Sequence, residues 1–336
     1  MKKILITGGL GFIGINVGNF LARQGYECYL IDNFYKIESK KNIDLIKDIE
    51  NIKFLEIDIT NKEKIENLIK EINFYAVLNF AGQVAMSKSI ENPLIDLQIN
   101  TLGNFYLLDS LRKYSGNTKY LFTSSNKVYG DLSWDDLIEL DLRYESVEHK
   151  SGFSENTKID FSTPYGCSKG ASDFYTIDFH KTYDLNTCVF RLSTIYGTNQ
   201  FFTYDQGWIG WYLNEMLNTE TSKPIEILGS GKQVRDVLFV TDLERLVLIF
   251  LENFNFFNGE VFNVGGGYSN SLSILELINH AELKLNFKYA LKNNAERLSD
   301  QRYYVSNLDK LANLWQPEVS FSDGIDKYID YIKIKK

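Results

Sequence analysis

The sequence contains little cysteine and no long hydrophobic run. Its 336 residues include three cysteines, Cys28, Cys167 and Cys188. Their spacing matches neither a metal-ligand motif nor a secreted disulfide framework, so we predict reduced, buried cysteines and no metal site. No apolar run approaches the roughly eighteen residues that a membrane-spanning helix needs. We therefore expect no membrane attachment.

The amino terminus also lacks a complete secretory signal. The stretch MKKILITGG starts with basic residues, but its apolar run ends after a few residues at Gly8 and Gly9. A signal peptide needs roughly 7 to 15 apolar residues. A cytoplasmic location is expected.

Positive charge is scarce as well. The chain has 36 Lys and Arg against 44 Asp and Glu, a formal net charge of -8 and a pI of about 5.1. A nucleic-acid surface needs a strong basic stripe, so we expect no nucleic-acid partner, although local arginines could bind a small anion. With 44% hydrophobic residues the chain can bury a large core.

Short apolar runs alternate with amphipathic stretches in the first 193 residues. Rich in β-branched and aromatic residues, the runs are KILIT (3–7), CYLID (28–32), IKFLEID (52–58), YAVLNF (75–80), KYLFTSS (119–125) and NTCVFRLS (186–193). Each is typical of a buried strand. Helical patterns such as NKEKIENLIKEI (61–72) separate them. This order predicts an α/β fold, a Rossmann-like doubly wound parallel sheet.

A glycine-rich turn follows the first strand. In ITGGLGFIG, Gly8, Gly11 and Gly14 form G-x-x-G-x-x-G, and Gly9 with the last two satisfies G-x-G-x-x-G. Such glycines let the backbone approach a pyrophosphate, which faces the N–H groups of the next helix. Glycine-rich turns also occur for structural reasons alone, so the motif by itself is weak.

Two aspartates at strand ends strengthen the dinucleotide interpretation. Asp32 ends the second strand, about twenty residues beyond the glycines, where a carboxylate binds the adenosine ribose and repels a 2′-phosphate. The pattern therefore predicts NAD rather than NADP. Asp58 ends the third strand and could meet the adenine, or it could simply cap the loop that follows.

The alternation ends after Leu192, where a longer aromatic-rich stretch begins. We expect an NAD-binding Rossmann domain of residues 1–193, to which 237–265 return. Residues 194–236 and 266–336 would form a smaller, mixed α/β substrate-binding lobe.

Three polar side chains indicate a reaction at the sheet edge. Ser125 ends the fifth strand, where doubly wound sheets bind ligands. Tyr165 and Lys169 would share one helix face. For Tyr165 to act as a base, its pKa must fall by roughly 3 units, which an ammonium and a positive nicotinamide favour. Y-x-x-x-K alone is more often an ordinary helical pair, but with the glycines, Asp32 and Ser125 it predicts a catalytic set.

These motifs resemble the extended branch of the short-chain dehydrogenase/reductase superfamily, whose members modify nucleotide sugars. The stretches that carry the resemblance are AGQVAMSKSIENP (81–93), SSNKVYGDL (124–132), STPYGCSKGASD (162–173), FTYDQGWIGW (202–211), GKQVRDVL (231–238) and SDQR (299–302). These stretches are long and specific, and the resemblance as a whole covers nearly the whole chain. Within that branch the chain is most similar to epimerases that act at C2 of a CDP-linked 3,6-dideoxyhexose.

The resemblance implies roles for a larger set of residues. It implies that Ser125, Tyr165 and Lys169 are catalytic. The residues implied to bind NAD are Gly8, Gly11, Phe12, Ile13, Gly14, Asp32, Asn33, Asp58, Ile59, Ala81, Asn100, Tyr165 and Lys169. The residues implied to bind the substrate are Gln83, Ser125, Asn126, Gln206, Arg235 and Arg302. The two arginines would hold the substrate diphosphate, because a guanidinium group can donate two parallel hydrogen bonds to phosphate oxygens. For either arginine taken alone, a surface ion pair is an equally good interpretation.

The implied reaction is an epimerisation without net redox change. Tyr165 takes the proton of the sugar C2 hydroxyl while NAD accepts and later returns the C2 hydride, and the keto sugar turns over in between. Aromatic side chains could line a pocket wide enough for this rotation, or they could belong to the core: Phe201, Tyr204, Trp208 and Trp211. We also expect a homo-oligomer, either a dimer or a tetramer.

Four positions depart from the family pattern and bear on the substrate. Ser125 stands where the family has threonine, which keeps the hydroxyl. Asn79 and Leu192 stand where histidines are expected, and Asn199 replaces an arginine.

Alternative activities follow from the same fold. A 4,6-dehydratase needs an Asp-Glu pair where Asn126 and Lys127 stand, which disfavours it. A C4 epimerase or a sugar 4-dehydrogenase stays open, since pocket shape decides which carbon reacts. A catalytically silent NAD-binding protein would have no physical need for Ser125, Tyr165 and Lys169 together.

Overall fold

The structure is a computed structural model and describes residues 1–218, 224–296 and 300–335. The strands are β1 (Lys3–Thr7), β2 (Glu27–Asp32), β3 (Ile52–Glu56), β4 (Ala76–Asn79), β5 (Lys119–Ser125), β6 (Leu137–Glu139), β7 (Tyr144–Ser146), β8 (Thr187–Leu192), β9 (Thr194–Tyr196), β10 (Ile225–Leu228), β11 (Val234–Phe239), β12 (Glu260–Val264), β13 (Ser271–Ser273), β14 (Leu291–Asn294) and β15 (Tyr303–Tyr304).

The α-helices are α1 (Phe12–Arg23), α2 (Lys62–Glu71), α3 (Met86–Glu91), α4 (Pro93–Asp96), α5 (Asn104–Tyr114), α6 (Pro164–Tyr183), α7 (Trp208–Leu217), α8 (Val240–Glu252), α9 (Phe254–Phe257), α10 (Ile274–Leu285) and α11 (Phe321–Lys335). The other helices are a π-helix, Leu97–Gly103, and 3-10 helices at Ile37–Leu45, Asn126–Tyr129 and Tyr268–Asn270. In the described part of the chain, no helix has both the length and the apolar character needed to cross a membrane.

Seven parallel strands form the main sheet, in the order β12–β8–β5–β4–β1–β2–β3. β1 lies between β2 and β4, with Leu5 opposite both Tyr29 and Val77. The chain winds outward from β1 in one direction and then in the other, so the strand order reverses beside β1. The predicted doubly wound α/β fold is confirmed.

Apolar side chains on one face of the sheet and on the helices packed against it form a buried core. Leu5 and Val77 on the sheet are fully buried in it. α2 contributes Ile65, Leu68 and Ile69, spaced at i, i+3 and i+4, as an amphipathic helix requires. The helical pattern at 61–72 in the sequence reflects this packing.

The chain divides into two compact units. The first comprises Met1–Val128, Thr163–Arg191 and Leu243–Phe262. The second comprises Tyr129–Ser162, Leu192–Asp242 and Asn263–Lys336. Of the residues predicted for the substrate lobe, 219–223, 297–299 and 336 lie outside the described residues, and with them Ser299 of the SDQR stretch.

This division differs from the predicted boundaries chiefly at residues 129–162, which were expected in the first domain. Backbone bonds explain their place in the second unit. Phe153 N–H donates to Val305 O at 2.8 Å, and Asn307 N–H donates to Phe153 O at 3.0 Å. These partners are about 150 residues apart in the sequence, so a local pattern does not reveal them.

The second unit has a mixed sheet and its own core. β11 pairs antiparallel with β13 and parallel with β15 and β9. Its core includes Leu213, Ile227, Val237, Leu277 and Ile329, all of them buried.

The prediction of three buried cysteines was wrong for Cys167. All three are free thiols, and Cys28 and Cys188 are buried, but Cys167 is exposed. It lies two residues after Tyr165 on α6, and side chains two positions apart on a helix do not face the same side. Burial of Tyr165 and Lys169 therefore turns Cys167 outward.

Candidate active site

The turn between β1 and α1 has a shape that requires glycine at two positions. Gly8 has φ +59°, and a Cβ there would lie 2.9 Å from the backbone of Ala81. A Cβ on Gly14 would lie 2.2 Å from the Gly8 carbonyl oxygen. Gly11 is the N-cap of α1, and no side chain of the described residues caps this helix start. The N–H groups at its positive end are thus available to an anion.

The carboxylate of Asp32 is fixed beside this turn. It accepts backbone hydrogen bonds from Leu10 N–H at 3.2 Å and Phe34 N–H at 2.9 Å. Burial raises the pKa of Asp32, and these bonds act in the opposite direction.

Asp58 lies one strand further along, next to Asn33. Its carboxylate accepts from Asn33 Nδ2 at 2.7 Å, and from the N–H and hydroxyl of Thr60 at 2.8 and 2.7 Å. Burial alone would raise the pKa of Asp58, but these bonds hold it below its ordinary value. Asp58 does open the loop after β3, while the N-cap of α2 is Asn61. Its contact with adenine stays a prediction.

Three other residues predicted to bind the cofactor, Phe12, Ile13 and Ala81, lie at the same turn. Phe12 and Ile13, both half-buried, begin α1. Ala81 packs its backbone on Gly8, and Ile59 is buried in the sheet core. A glycine turn, an uncapped helix start and a carboxylate at the end of β2 fit the pyrophosphate and ribose of NAD.

Replacing Gly14 with alanine should weaken NAD binding by about tenfold or more, equivalent to roughly 1.4 kcal/mol. The added Cβ would lie 2.2 Å from the Gly8 oxygen, so the turn must move. Overpacking of this kind lowers the free energy of unfolding by about 1 to 3 kcal/mol. Calorimetric NAD titration and thermal melting would measure both effects.

Gly116→Ala is the matched control, because an added Cβ there would make only an ordinary contact, with Leu185 Cδ2 at 3.9 Å. It should leave NAD affinity unchanged. Wild-type affinity in Gly14→Ala would contradict the cofactor assignment.

Ser125 and Tyr165 meet at the carboxyl end of β5. Ser125 is the last residue of the strand, and Tyr165 is the second residue of α6. The helix starts at Pro164 because the Thr163 hydroxyl caps it, accepting from Gly166 N–H at 3.1 Å. Both side chains are buried, and they share a hydrogen bond.

Lys169 lies one turn further along α6, on the same buried face. Its Nζ donates to the Thr123 carbonyl at 2.8 Å and lies 4.9 Å from the centre of the Phe122 ring. Burial lowers the pKa of Lys169 to about 8, and Asp96 acts in the opposite direction.

The phenol of Tyr165 does not have the low pKa that a base needs. Burial raises the pKa of Tyr165 to about 12, the hydrogen bond with Ser125 lowers it, and Asp96 raises it further. In the protein alone the phenol is therefore protonated at neutral pH. A positive charge brought by the cofactor would act in the required direction.

Asn126 and Lys127 complete the surroundings of Ser125. The Ser125 hydroxyl donates to Asn126 Oδ1 at 3.3 Å, and Lys127 N–H donates to the Ser125 oxygen at 3.2 Å. Asn126, predicted to bind substrate, is buried.

Asn100 organises a buried polar cluster that the sequence only partly indicated. Its Nδ2 donates to Asp96 Oδ1 at 3.2 Å, to Gln83 O at 3.0 Å and to Ser168 Oγ at 3.0 Å. Gln83, predicted to bind substrate, has its side-chain amide bonded to both the N–H and the carbonyl of Ala85.

Asp96 is the member that sequence reasoning missed. It precedes a π-helix, a rare element that is frequent at functional sites. Its spacing of four residues from Asn100 was the available signal.

Two of the departures from the family pattern are accommodated structurally. Asn79 is buried. Its Oδ1 accepts from the Thr7 hydroxyl at 2.6 Å, and its Nδ2 donates to Tyr120 OH at 2.9 Å. Asn199 has φ +63°, and its N–H donates to Tyr331 OH at 3.0 Å. Leu192, the third, is buried.

In the second unit, both predicted diphosphate ligands are paired with acids. Arg235 on β11 donates from Nη2 to Asp300 Oδ1 at 2.6 Å, and its side chain is 12% exposed. Arg302 is 57% exposed and pairs with Glu296 at 3.4 Å. The surface ion-pair interpretation therefore describes Arg302 better than Arg235. Gln206 forms backbone bonds with the nearby Thr203.

The aromatic residues predicted for a sugar pocket are divided between core and surface. Trp208 and Trp211 pack, partly buried, against the core of the second unit. Tyr204 is exposed, with its ring edge-on to Trp211 at 5.1 Å. Phe201 is half-buried. The core interpretation thus holds for the two tryptophans.

The doubly wound sheet and the contact between Ser125 and Tyr165, with Lys169 one turn away, are the features of an extended short-chain dehydrogenase/reductase. Residues 5–328 match the family model described as GDP-mannose 4,6 dehydratase, and the chain belongs to this family. Its described residues contain no group of three or more His, Cys, Asp or Glu side chains arranged to hold a metal ion.

Individual relatives narrow the comparison. The chain is 41% identical over 333 residues to CDP-paratose 2-epimerase from Salmonella typhi, with 98% of each chain covered. It is 27% identical over 345 residues to UDP-glucuronate 4-epimerase from Thermodesulfobacterium geofontis, covering 99% of this chain and 97% of the relative.

A solved structure supports the fold assignment. dTDP-glucose 4,6-dehydratase from Bacillus anthracis, in complex with NAD, matches with a TM-score of 0.83 and 27% identity. The match covers 99% of this chain and 97% of that one. The predicted resemblance to nucleotide-sugar-modifying enzymes is confirmed.

Proposed function

We propose that the protein is an NAD-dependent nucleotide-sugar epimerase that inverts C2 of CDP-paratose to give CDP-tyvelose. The observation that carries this proposal is the 41% identity to CDP-paratose 2-epimerase over nearly the full length of both chains. The buried contact between Ser125 and Tyr165 supports the chemistry.

Each side chain of the catalytic set has a distinct task. Tyr165 takes the proton of the C2 hydroxyl and later returns it. Ser125 holds the substrate oxygen by a hydrogen bond. The Lys169 ammonium, on the same face of α6, favours the phenolate by its charge. Bound NAD supplies reversible acceptance of the C2 hydride.

The first unit provides the cofactor site in this proposal. The turn at Gly8, Gly11 and Gly14 receives the pyrophosphate at the start of α1. Asp32 binds the ribose hydroxyls and disfavours a 2′-phosphate, which selects NAD over NADP. Asn33 and Asp58, already bonded to each other, lie at neighbouring strand ends and contact the adenosine.

The second unit provides the nucleotide-sugar site. Arg235 and Arg302 bind the diphosphate. In the protein alone they pair with Asp300 and Glu296, and the diphosphate takes the place of these carboxylates as their partner. Gln206 contributes to the same site. The homo-oligomeric state and the cytoplasmic location stay predictions. Exposed aromatic side chains on α6, among them Phe174 and Tyr175, support self-association.

A C4 epimerase is the second candidate. The full-length similarity to UDP-glucuronate 4-epimerase favours it, but at a lower identity of 27%. A 4-dehydrogenase on the same fold would use the same residues and release a keto sugar. The dehydratase alternative is disfavoured by Asn126 and Lys127 at the positions of its acid pair.

CDP-paratose carrying deuterium at C2 should be converted to CDP-tyvelose that retains the label at C2, more slowly than the unlabelled sugar. The hydrogen returns from the cofactor to the same carbon, so it never exchanges with water. A parallel reaction of unlabelled substrate in deuterated water should incorporate no deuterium. Proton NMR of the sugar ring follows both reactions.

The same NMR assay, applied to a panel of nucleotide sugars, separates the alternatives. Inversion at C4 of CDP-, UDP-, GDP- or dTDP-hexoses in a substrate panel, without reaction at C2, would establish the C4 epimerase. Solvent deuterium at C2 would point to deprotonation of carbon and overturn the hydride mechanism.

A further inference from the structure

Asp96 is a fully buried carboxylate beside the proposed catalytic residues. It has 0% exposure and lies at the end of α4, directly before the π-helix Leu97–Gly103. A buried charge is costly unless hydrogen bonds or an opposite charge compensate it. The proposed reaction assigns no step to Asp96.

Asn100 contacts Asp96 and lies near Lys169. Its Nδ2 donates to Asp96 Oδ1 at 3.2 Å. Asn100 Oδ1 and Lys169 Nζ both lie next to Gly82. A Cβ added to Gly82 would be 3.0 Å from Asn100 Oδ1 and 3.2 Å from Lys169 Nζ. Asn100 also donates to Ser168 Oγ, next to Lys169 on α6. Asn100 is therefore bonded to Asp96 and lies near the Lys169 ammonium.

The charge of Asp96 acts on both members of the proposed catalytic pair. Burial lowers the pKa of Lys169 to about 8, and Asp96 raises it. Burial raises the pKa of Tyr165, and Asp96 raises it further. The pKa of Asp96 is raised by burial and lowered by Ser89, Gln83 and Lys169.

The groups that face Asp96 come from four elements. α3 contributes the neutral Ser89, the preceding loop the neutral Gln83, and the π-helix the neutral Asn100. α6 contributes the titratable Tyr165 and Lys169. Among these groups, Lys169 is the one that can carry a positive charge.

We propose that Asp96 is a positioning residue: its buried carboxylate is bonded to Asn100, holds that side chain next to Lys169 and places a negative charge in the surroundings of the Lys169 ammonium. The catalytic meaning of Lys169 rests on the proposed function. The coupling between Asp96 and Lys169 is a property of the chain alone and can be measured without substrate or NAD.

Asp96→Asn tests the charge, because it keeps an acceptor oxygen for Asn100. The protein is labelled with ¹³C at lysine Cε, and the Lys169 signal is assigned from its absence in Lys169→Met. In Asp96→Asn this signal should titrate at a pH roughly 1 unit lower than in the wild type. Removing a negative charge lowers the pKa of both Lys169 and Tyr165. Both limbs of the pH profile of kcat/KM should therefore move to lower pH.

Two controls isolate the charge at this position. Glu91→Gln removes an exposed carboxylate near the end of α3 and should leave the Lys169 titration unchanged. Asp96→Glu keeps the charge and should restore the wild-type titration. A purely structural role of Asp96 would lower the height of the pH profile without moving its limbs, which would overturn the proposal.

The reciprocal variant decides the matter if Asp96→Asn does not fold. Coupling between two sites is mutual, so in Lys169→Met the carboxyl carbon of Asp96 should titrate at a higher pH than in the wild type. An unchanged titration of Lys169 in folded Asp96→Asn, or of Asp96 in Lys169→Met, would overturn the inference. If Asp96 and Lys169 are coupled but the protein has no epimerase activity, the proposed function is wrong and the inference still holds.

Discussion

Tyr165→Phe is expected to lower kcat by about 10² to 10⁴, the usual contribution of a general base. The phenol oxygen is lost while the buried ring keeps its place on α6. NAD binding should be nearly unchanged, because the glycine turn and Asp32 are untouched. Steady-state NMR assays of CDP-paratose, with calorimetric NAD titration, measure the two quantities separately.

Two variants serve as controls for this result. Tyr175→Phe removes a phenol oxygen from the exposed side of the same helix and should leave kcat unchanged. Ser125→Thr keeps the hydroxyl next to Tyr165 and should retain activity. Near-wild-type kcat in Tyr165→Phe would remove Tyr165 from the mechanism.

Strand positions could be predicted because a buried parallel strand is a continuous apolar run. β1 and β5 begin and end at the predicted residues. The third strand was predicted to reach Asp58 but ends at Glu56, where its partner strand β2 also ends, at Asp32; the bond from Ile57 N–H to Asp32 O belongs to this parallel ladder. The apolar run continues past that point, so composition alone does not mark the end.

Long-range pairing limited the rest of the fold prediction. Residues 129–162 belong to the second unit through bonds such as Phe153 N–H to Val305 O. Arg235 was recognised as a diphosphate ligand candidate, but its pairing with Asp300, 65 residues away, was not visible. Partners so far apart in sequence leave no periodic signal.

The sequence indicated that the candidate catalytic residues would lie close together, but not their electrostatics. Motif spacing indicated Ser125, Tyr165 and Lys169, and the structure brings the three together on β5 and α6. The expected lowering of the Tyr165 pKa is not present in the protein alone, since burial raises it. Burial depends on the packing of the whole unit, and Asp96 enters through that packing.

Arg235→Met should have two separable effects, one on stability and one on substrate binding. Arg235 and Asp300 form a pair whose side chains are only 12% and 19% exposed. Breaking such a pair from one side costs about 3 kcal/mol of unfolding free energy, because the remaining carboxylate loses its guanidinium partner. Urea denaturation measures this loss.

The effect on binding follows from the proposed diphosphate contact. A hydrogen bond to a charged group contributes about 1.5 to 3 kcal/mol, so KM for the nucleotide sugar should rise by about 10- to 100-fold. NAD affinity should not change, since the cofactor site is assigned to the first unit. Arg302→Met should also raise KM, but its exposed pair with Glu296 should change stability by no more than about 1 kcal/mol.

The double variant Arg235→Met with Asp300→Asn separates structure from binding. Neutralising Asp300 removes the carboxylate that lost its partner, so much of the unfolding free energy should return. The raised KM should persist, because the diphosphate still lacks its guanidinium. If KM returns to the wild-type value together with stability, Arg235 acts by supporting the fold around Asp300, and the diphosphate must be bound by other residues.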